Sequence, residues 1–168
     1  MKLKSVRVVD QFRFLPGPHL TMMLADHGAE VAKVEPSTGE PVRNIGHRQG
    51  GESVWFRTPQ RGKKSLVLDP KTDAGRAGHC ALADPTDLLV EAFRTGVMQR
   101  LGFDYDTLAR RKLSLSYVSI AAFAQSGAAA RPVHDIGMEA LRGVLSLNLG
   151  QDGKPVPRLG DHNRELLR

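Results

Sequence analysis

Near the end of the sequence, Gly160-Asp161-His162-Asn163 places a carboxylate beside two side chains that form hydrogen bonds. The glycine lets the backbone bend sharply and exposes the carboxylate. Asp161 is therefore a candidate active-site residue, in a run that looks like part of an active site. The alternative is an ordinary N-cap for a short helix over residues 164–167, and residue type alone favours that reading.

The basic residues suggest a second kind of chemistry, the binding of an anionic ligand. The net charge is +6, and the charges are scattered apart from small clusters at residues 61–64 and 110–112. Aromatic residues do not interleave with these clusters, as a platform for stacking nucleic-acid bases requires. We therefore expect no nucleic-acid partner, and a phosphorylated small ligand fits the scattered charge better.

The composition is that of one soluble globular domain over residues 1–168. The single cysteine, Cys80, rules out an internal disulfide framework and favours a reducing compartment, so we expect a cytoplasmic protein. No apolar run approaches the roughly 20 residues of a membrane span, and the amino terminus lacks a signal-peptide pattern. We expect no membrane association.

The elements that must position these residues alternate between strand and helix. A helix is predicted from Pro18 to Gly28, where the glycine ends it. The helix predicted over 72–83 is expected to be weakened by Gly75 and Gly78. The predicted strands are 6–9, 30–35, 64–68, 88–90 and 115–120, and the later helices are 72–83, 105–111 and 135–147. This alternation predicts an α/β fold, an open parallel sheet with helices on both faces.

Ligands of such sheets bind at the carboxyl ends of the strands. The loops after Asp10, Glu35, Glu91 and Ile120 are therefore the candidate binding edge. The first of these loops lacks the GxGxxG motif of dinucleotide-binding proteins, so that cofactor class is not indicated.

Four segments together resemble the class III coenzyme A (CoA) transferases of the CaiB/BaiF type, a family that also contains alpha-methylacyl-CoA racemases. Their order and spacing match the family: GPHLTMMLADHGAEVAKVE at 17–35, RGKKSLVLDPKT at 61–72, DLLVEAFRTGVMQRLGF at 87–103 and HDIGMEALRGVLSLN at 134–148. The resemblance implies a Rossmann-like large domain, truncated before the family's second domain. It also implies acyl-CoA and a small carboxylic acid as substrates, no permanently bound cofactor and no metal site. The expected partner is a second copy in a homodimer or a complementing carboxyl-terminal chain.

The resemblance assigns a role to Asp161, which matches the family's nucleophilic aspartate. In the transferases this carboxylate leads to an aspartyl-CoA thioester intermediate. His134 stands where the family's racemases carry one of two proton-transfer bases, with the matching aspartate as the other. Transferase and racemase chemistry both stay open at this point, and a solvated loop histidine is a further interpretation of His134.

The resemblance also implies CoA contacts at four places along the chain. Arg100 matches an arginine near the nucleotide phosphates, which suits the planar guanidinium fork. Ala92 and Phe93 match an Asn-Phe pair, so the amide is lost here. The full set of predicted contacts is Phe14, Leu15, Pro16, Leu68, Lys71, Ala92, Phe93, Arg100 and Leu101.

Several positions depart from the family pattern. Pro36 stands where several relatives carry an arginine that contacts CoA, and residues 121–124 replace a glycine-rich turn with Ala-Ala-Phe-Ala. Gly78 and His79 occupy places where the family usually has large apolar residues. These departures keep two further hypotheses open: an inactive CoA-binding remnant and one half of a split enzyme.

Overall fold

A computed structural model describes residues 1–121, together with residues 137, 140, 143, 147 and 149–154. The chain divides into two compact units, residues 1–120 and 121–168. In the second unit the described part includes a turn in which the Gly150 N–H donates to the Lys154 carbonyl at 2.9 Å. His134, Asp161 and most of the helix predicted over 135–147 lie outside the described residues.

The first unit is built from short strands and helices in alternation. The strands are β1 (Arg7–Gln11), β2 (Glu30–Glu35), β3 (Arg48–Gln49), β4 (Glu52–Ser53), β5 (Lys63–Val67), β6 (Leu88–Glu91) and β7 (Ser116–Ser119). The helices are α1 (Pro16–Asp26), α2 (Val54–Arg57), α3 (Asp73–Ala83), α4 (Val97–Leu101) and α5 (Tyr105–Arg111), with a 3₁₀ helix at Pro41–Asn44.

Five of these strands form one sheet in the order β5-β2-β1-β6-β7, and all their pairings are parallel. The predicted open parallel α/β fold is therefore confirmed. The sequence missed the 3₁₀ helix, α2, α4 and the β3–β4 hairpin, because elements of two to five residues are too short to show a period.

Helices cover both faces of this sheet. Because successive strand residues point to opposite faces, Val8 and Val9 of β1 belong to different cores. Val8 packs with Val31 and Val90 beneath the apolar side of α1. Val9 packs with residues of the α3–α5 side, namely Ala83, Leu89, Met98, Phe103, Leu108 and Leu115. We call these the α1 face and the α3–α5 face.

The α3 helix is complete despite its two glycines, and close packing explains both of them. A Cβ on Gly75 would lie 1.7 Å from the Asp69 carbonyl oxygen, and one on Gly78 would lie 2.8 Å from the Leu68 side chain. Thr72 caps the helix by accepting the Gly75 N–H at 3.0 Å. The glycines thus let α3 approach the loop that follows β5.

In the part of the chain that the structure describes, every helix is too short or too polar to cross a membrane. The cytoplasmic location stays a prediction.

Candidate functional site

A cleft of about 510 Å³ opens at the carboxyl ends of β1, β2, β5 and β6. The chain adds β2 and β5 on one side of β1 and β6 and β7 on the other, so the cleft lies at the point where the strand order reverses. Open parallel sheets bind ligands at this place. The lining residues are Gln11, Arg13, Val34, Glu35, Pro36, Ser37, Thr38, Leu68, Asp69, Pro70, Lys71, His79, Phe93, Val97, Arg100, Leu101 and Phe103.

The charged part of this lining is cationic in balance. It contains Arg13, Lys71 and Arg100 against the carboxylates Glu35 and Asp69. Glu35 is already paired, since Arg43 donates to its two oxygens at 2.6 and 2.8 Å. The cleft therefore suits an anionic group near its cations.

The pairing fixes the ionisation of Glu35. Burial by itself raises the pKa of this carboxyl group, but hydrogen bonds from Arg43, Ser65 and the Glu40 N–H outweigh burial and lower the pKa to about 2. The hydrogen bond to Glu35 in turn raises the pKa of Arg43. Glu35 is thus an ionised carboxylate whose oxygens accept hydrogen bonds from protein groups.

The rest of the lining is largely apolar, with one buried histidine. His79 is 5% exposed, and its Nδ1 lies 2.9 Å from the Gly75 carbonyl oxygen. Its ring packs on Phe103 with centroids 5.0 Å apart. From the sequence, His79 was interpreted only as a departure from the family pattern, and it was not predicted at the site.

Short loops with local hydrogen bonds position the lining side chains. The Phe93 N–H donates to Glu91 Oε2 at 2.6 Å directly after β6. The Lys71 N–H donates to Asp69 Oδ1 at 2.9 Å in the loop before α3. Arg100 lies in the last turn of α4, whose N-cap Gly96 has a left-handed backbone with φ of 80°.

The structure brings five of the predicted CoA contacts together in this cleft. They come from separate stretches of the chain: Leu68, Lys71, Phe93, Arg100 and Leu101. The remaining four described positions lie outside the lining: Phe14, Leu15, Pro16 and Ala92. Arg13, directly before Phe14, lines the cleft and was not predicted. The signal available was its place in the loop after the first strand.

Beside the cleft, on the α1 face, lies a set of charges that was not predicted from the sequence. We call Asp10, Lys33, Glu40 and Lys63 the buried charge cluster, since their side chains are at most 2% exposed. Asp10 lies 3.5 Å from Lys33 Nζ and 2.9 Å from Lys63 Nζ, and Lys33 Nζ lies 3.3 Å from Glu40. Two positive and two negative charges therefore balance inside the protein.

Strand alternation places this cluster. Asp10 follows Val8 on the α1 face, and Lys33 follows Val31 in the same way. Thr21 of α1 donates to Asp10 Oδ2 at 2.6 Å, and Lys63 donates to the Pro18 carbonyl at 2.9 Å. On balance the pKa of Lys63 is lowered, because burial has the largest effect on it, although the Asp10 carboxylate raises it.

Gly17 allows the first turn of α1 to pack closely against the loop that follows β1. A Cβ at this residue would lie 2.0 Å from the Phe12 ring, so only glycine lets the start of α1 pack against the loop.

Similarity to known proteins identifies the family of this chain. The family described as CoA-transferase family III matches residues 3–162. The chain belongs to CoA-transferase family III. The family resemblance drawn from the four sequence segments is therefore confirmed.

Two curated relatives illustrate the range of activities among proteins similar to the chain. The acetyl-CoA:oxalate CoA-transferase of Acetobacter aceti is 38% identical over 151 residues, which cover 89% of this chain and 39% of that protein. The alpha-methylacyl-CoA racemase of Homo sapiens is 38% identical over 156 residues, which cover 92% of this chain and 37% of the racemase. The chain thus spans about 40% of the length of these relatives.

Solved structures of the family share the fold. Rv3272 from Mycobacterium tuberculosis aligns with a TM-score of 0.85 at 33% identity, over 94% of this chain and 45% of that one. A CaiB/BaiF family protein from Brucella suis aligns with a TM-score of 0.82 at 31% identity, over 92% of this chain and 42% of that one.

Proposed function

We propose that this chain binds an acyl-CoA in the cleft and provides part of an acyl-CoA:carboxylic acid CoA-transferase. The observation that supports the proposal is the convergence of Leu68, Lys71, Phe93, Arg100 and Leu101 on one cleft at the carboxyl edge of the sheet. These residues come from three segments that were matched to CoA contacts from sequence alone. The CoA-transferases among the relatives support the same reaction class.

The cleft suits the nucleotide end of such a substrate. Arg100 and Lys71 supply charge for phosphate oxygens, and Arg13 adds a third cation to the same lining. Leu68, Phe93 and Leu101 supply apolar surface for the uncharged parts of the coenzyme. We assign no permanently bound cofactor, because CoA enters and leaves as part of the substrate.

In the proposed reaction, Asp161 is the nucleophile. Its carboxylate attacks the thioester carbonyl, the carbon–sulfur bond breaks, and a mixed anhydride forms as CoA thiolate leaves. The thiolate then attacks the aspartyl carbonyl, which gives an aspartyl-CoA thioester and releases the free acid. An acceptor carboxylate reverses these steps to yield the new acyl-CoA. A carboxylate is a weak nucleophile, so the reaction needs positioning and partial desolvation.

A racemase is the second candidate, and the similarity to the human enzyme favours it. Exchange of an α-proton needs one base on each side of the carbon, and His134 with Asp161 is the proposed pair. A CoA-binding chain without chemistry of its own, or one half of a split enzyme, is the third. A homodimer or a complementing carboxyl-terminal chain is the proposed partner.

Calorimetric titration with CoA tests the binding proposal. Arg100→Ala should raise the Kd for CoA by about 10-fold, since a charge-assisted contact is worth on the order of 1.5–3 kcal/mol. The matched control is Arg110→Ala, which removes the same charge from an exposed position of α5 outside the lining. Equal Kd values for the two variants, or no binding by the parent at millimolar CoA, would contradict the proposal.

The chemistry is tested on any preparation that contains this chain and is active. Asp161→Ala should abolish transfer, and hydroxylamine should convert the aspartyl-CoA thioester of the parent into a hydroxamate on Asp161, with release of CoA. A racemase should instead exchange the α-proton with solvent deuterium and lose this exchange in His134→Ala. Full transfer activity in Asp161→Ala would remove the nucleophile assignment.

A further inference from the structure

The buried pair Lys33–Glu40 holds the backbone on both sides of Arg13. Lys33 Nζ donates to the Phe12 carbonyl, which belongs to the peptide group before Arg13. Glu40 Oε1 accepts the Phe14 N–H at 2.9 Å, which belongs to the peptide group after it. The two side chains lie 3.3 Å apart and are 1–2% exposed, so water does not compete for these bonds.

The conformation at this point needs such support. Phe14 has φ of 66°, in the left-handed region that side chains other than glycine rarely adopt. The hydrogen bond from the Phe14 N–H to Glu40 offsets part of the strain energy of this conformation. Asp10 adds a third bond by accepting the Phe12 N–H at 2.9 Å. The exposed Arg13 is thus carried on a loop whose backbone is held from the buried side.

Glu40 also joins this loop to the loop that follows β2. The Glu40 N–H donates to Glu35 Oε2 at 2.9 Å, and Glu35 lines the cleft at the end of β2. Pro36, Ser37 and Thr38 lie between these two glutamates and line it as well. A single side chain at residue 40 therefore connects the loops that follow β1 and β2.

We propose that Lys33 and Glu40 are positioning residues, which present Arg13 to a phosphate group of the ligand. This inference rests on the proposed CoA-binding function and adds Arg13 and its buried support to it. Arg13 is the contact, and the Lys33–Glu40 pair acts only through the Arg13 backbone. Because a guanidinium holds phosphate by paired, directional bonds, a loop that moves by about 1 Å loses much of the contact.

A double-mutant cycle on CoA binding tests this assignment. Glu40→Ala should raise the Kd for CoA by about 10-fold in the parent and also in Arg100→Ala, whose cation is carried by α4. In Arg13→Ala the same change should raise the Kd by less than about 2-fold, since the positioned group is gone. Glu30→Ala, which removes an exposed carboxylate at the amino end of β2, should leave the Kd unchanged.

Conservative replacement adds a second readout. Glu40→Gln keeps an oxygen for the Phe14 N–H, so its Kd should stay within about 3-fold of the parent. An equal increase for Glu40→Ala in the parent and in Arg13→Ala would show general loosening and overturn the assignment. So would an unchanged Kd in Glu40→Ala.

Amide hydrogen exchange separates this inference from the proposed function. Exchange of the Phe14 N–H should accelerate by about 10-fold or more in Glu40→Ala and much less in Glu40→Gln. If the parent does not bind CoA, the proposed function fails, and with it the ligand contact of Arg13. If the parent binds CoA but exchange at Phe14 is unchanged in Glu40→Ala, the inference alone fails.

Discussion

The two faces of the sheet are built differently at its carboxyl edge. On the α1 face, Asp10 near the end of β1 pairs inside the protein with Lys33 of β2 and with Lys63 at the start of β5, and Lys33 also pairs with Glu40. On the α3–α5 face the strand ends leave an open cleft whose cations Lys71 and Arg100 are exposed. The same kinds of charge are thus neutralised on one face and left available on the other.

This difference assigns separate tasks to the two faces. Charges that are fully paired and hydrogen-bonded fix a backbone conformation and cannot bind a ligand. Charges that keep solvent contact can exchange water for phosphate oxygens. The α1 face therefore shapes the loops, and the α3–α5 face supplies the contacts. The Lys33–Glu40 pair connects these tasks through Arg13.

The largest effect should come from two neighbouring lysines of β5 that point to opposite sides. Lys63 is 1% exposed against Asp10, whereas Lys64 is 74% exposed. Lys63→Met should lower the free energy of unfolding by about 3–5 kcal/mol, because it leaves one negative charge of the cluster uncompensated. Lys64→Met is the matched control and should unfold at the same urea concentration as the parent. Similar midpoints for both variants would show that the cluster is not a closed, balanced unit.

The sequence predicted the apolar side of this comparison and missed the charged side. Val8 and Val9 mark β1 as a buried strand, and the helix over 105–111 was predicted with the bounds that the structure has. Asp10 was interpreted only as the residue at which the β-branched run of β1 ends, whereas the structure continues β1 to Gln11. Its pairing with Lys33 and Lys63 depends on strands that are adjacent only in the folded sheet.

The site was predicted only in part. Its edge followed from parallel-strand topology, and the family resemblance identified five lining residues. His79 and Phe103 were missed, because each reads as core in a helical or apolar segment. Gly75 was interpreted as a weak point of a helix, since its close approach to the Asp69 carbonyl depends on the conformation of the loop before α3.

The pH dependence of stability should follow from Glu35. Its folded-state pKa of about 2 lies below the unfolded value of 4.5. The stabilisation is therefore complete above pH 4.5 and is lost as the pH falls toward 2, by on the order of 2 kcal/mol. Urea unfolding at several pH values should show a shallower acid slope for Glu35→Gln than for the parent. Parallel slopes would mean that other carboxyl groups carry the acid response.

A smaller effect is expected on the α3–α5 face, at Gly75. Alanine usually stabilises a helix by about 1 kcal/mol relative to glycine. Here its Cβ would lie 1.7 Å from the Asp69 carbonyl oxygen, so overpacking should outweigh the gain and leave a net loss of about 1 kcal/mol. Ala77→Gly, at an exposed position of the same helix, should also destabilise. A stabilised Gly75→Ala would show that α3 is free to move away from the loop.

The smallest effect should come from an ion pair that has good geometry but no burial. Arg111 donates to both oxygens of Asp84 at 2.9 and 3.0 Å, and the two side chains are about half exposed (46% and 52%). A double-mutant cycle with Arg111→Ala and Asp84→Ala should give a coupling free energy below about 1 kcal/mol, because water solvates both groups when they separate. Added salt should reduce it further.

The same cycle on Asp10 and Lys63 is the direct counterpart. That pair is 2.9 Å apart and at most 1% exposed, so its coupling should be several times larger and insensitive to salt. The bond lengths of the two pairs are alike, and only their burial differs. If the exposed pair coupled as strongly as the buried one, burial would not be what separates the structural charges of the α1 face from the available charges of the cleft.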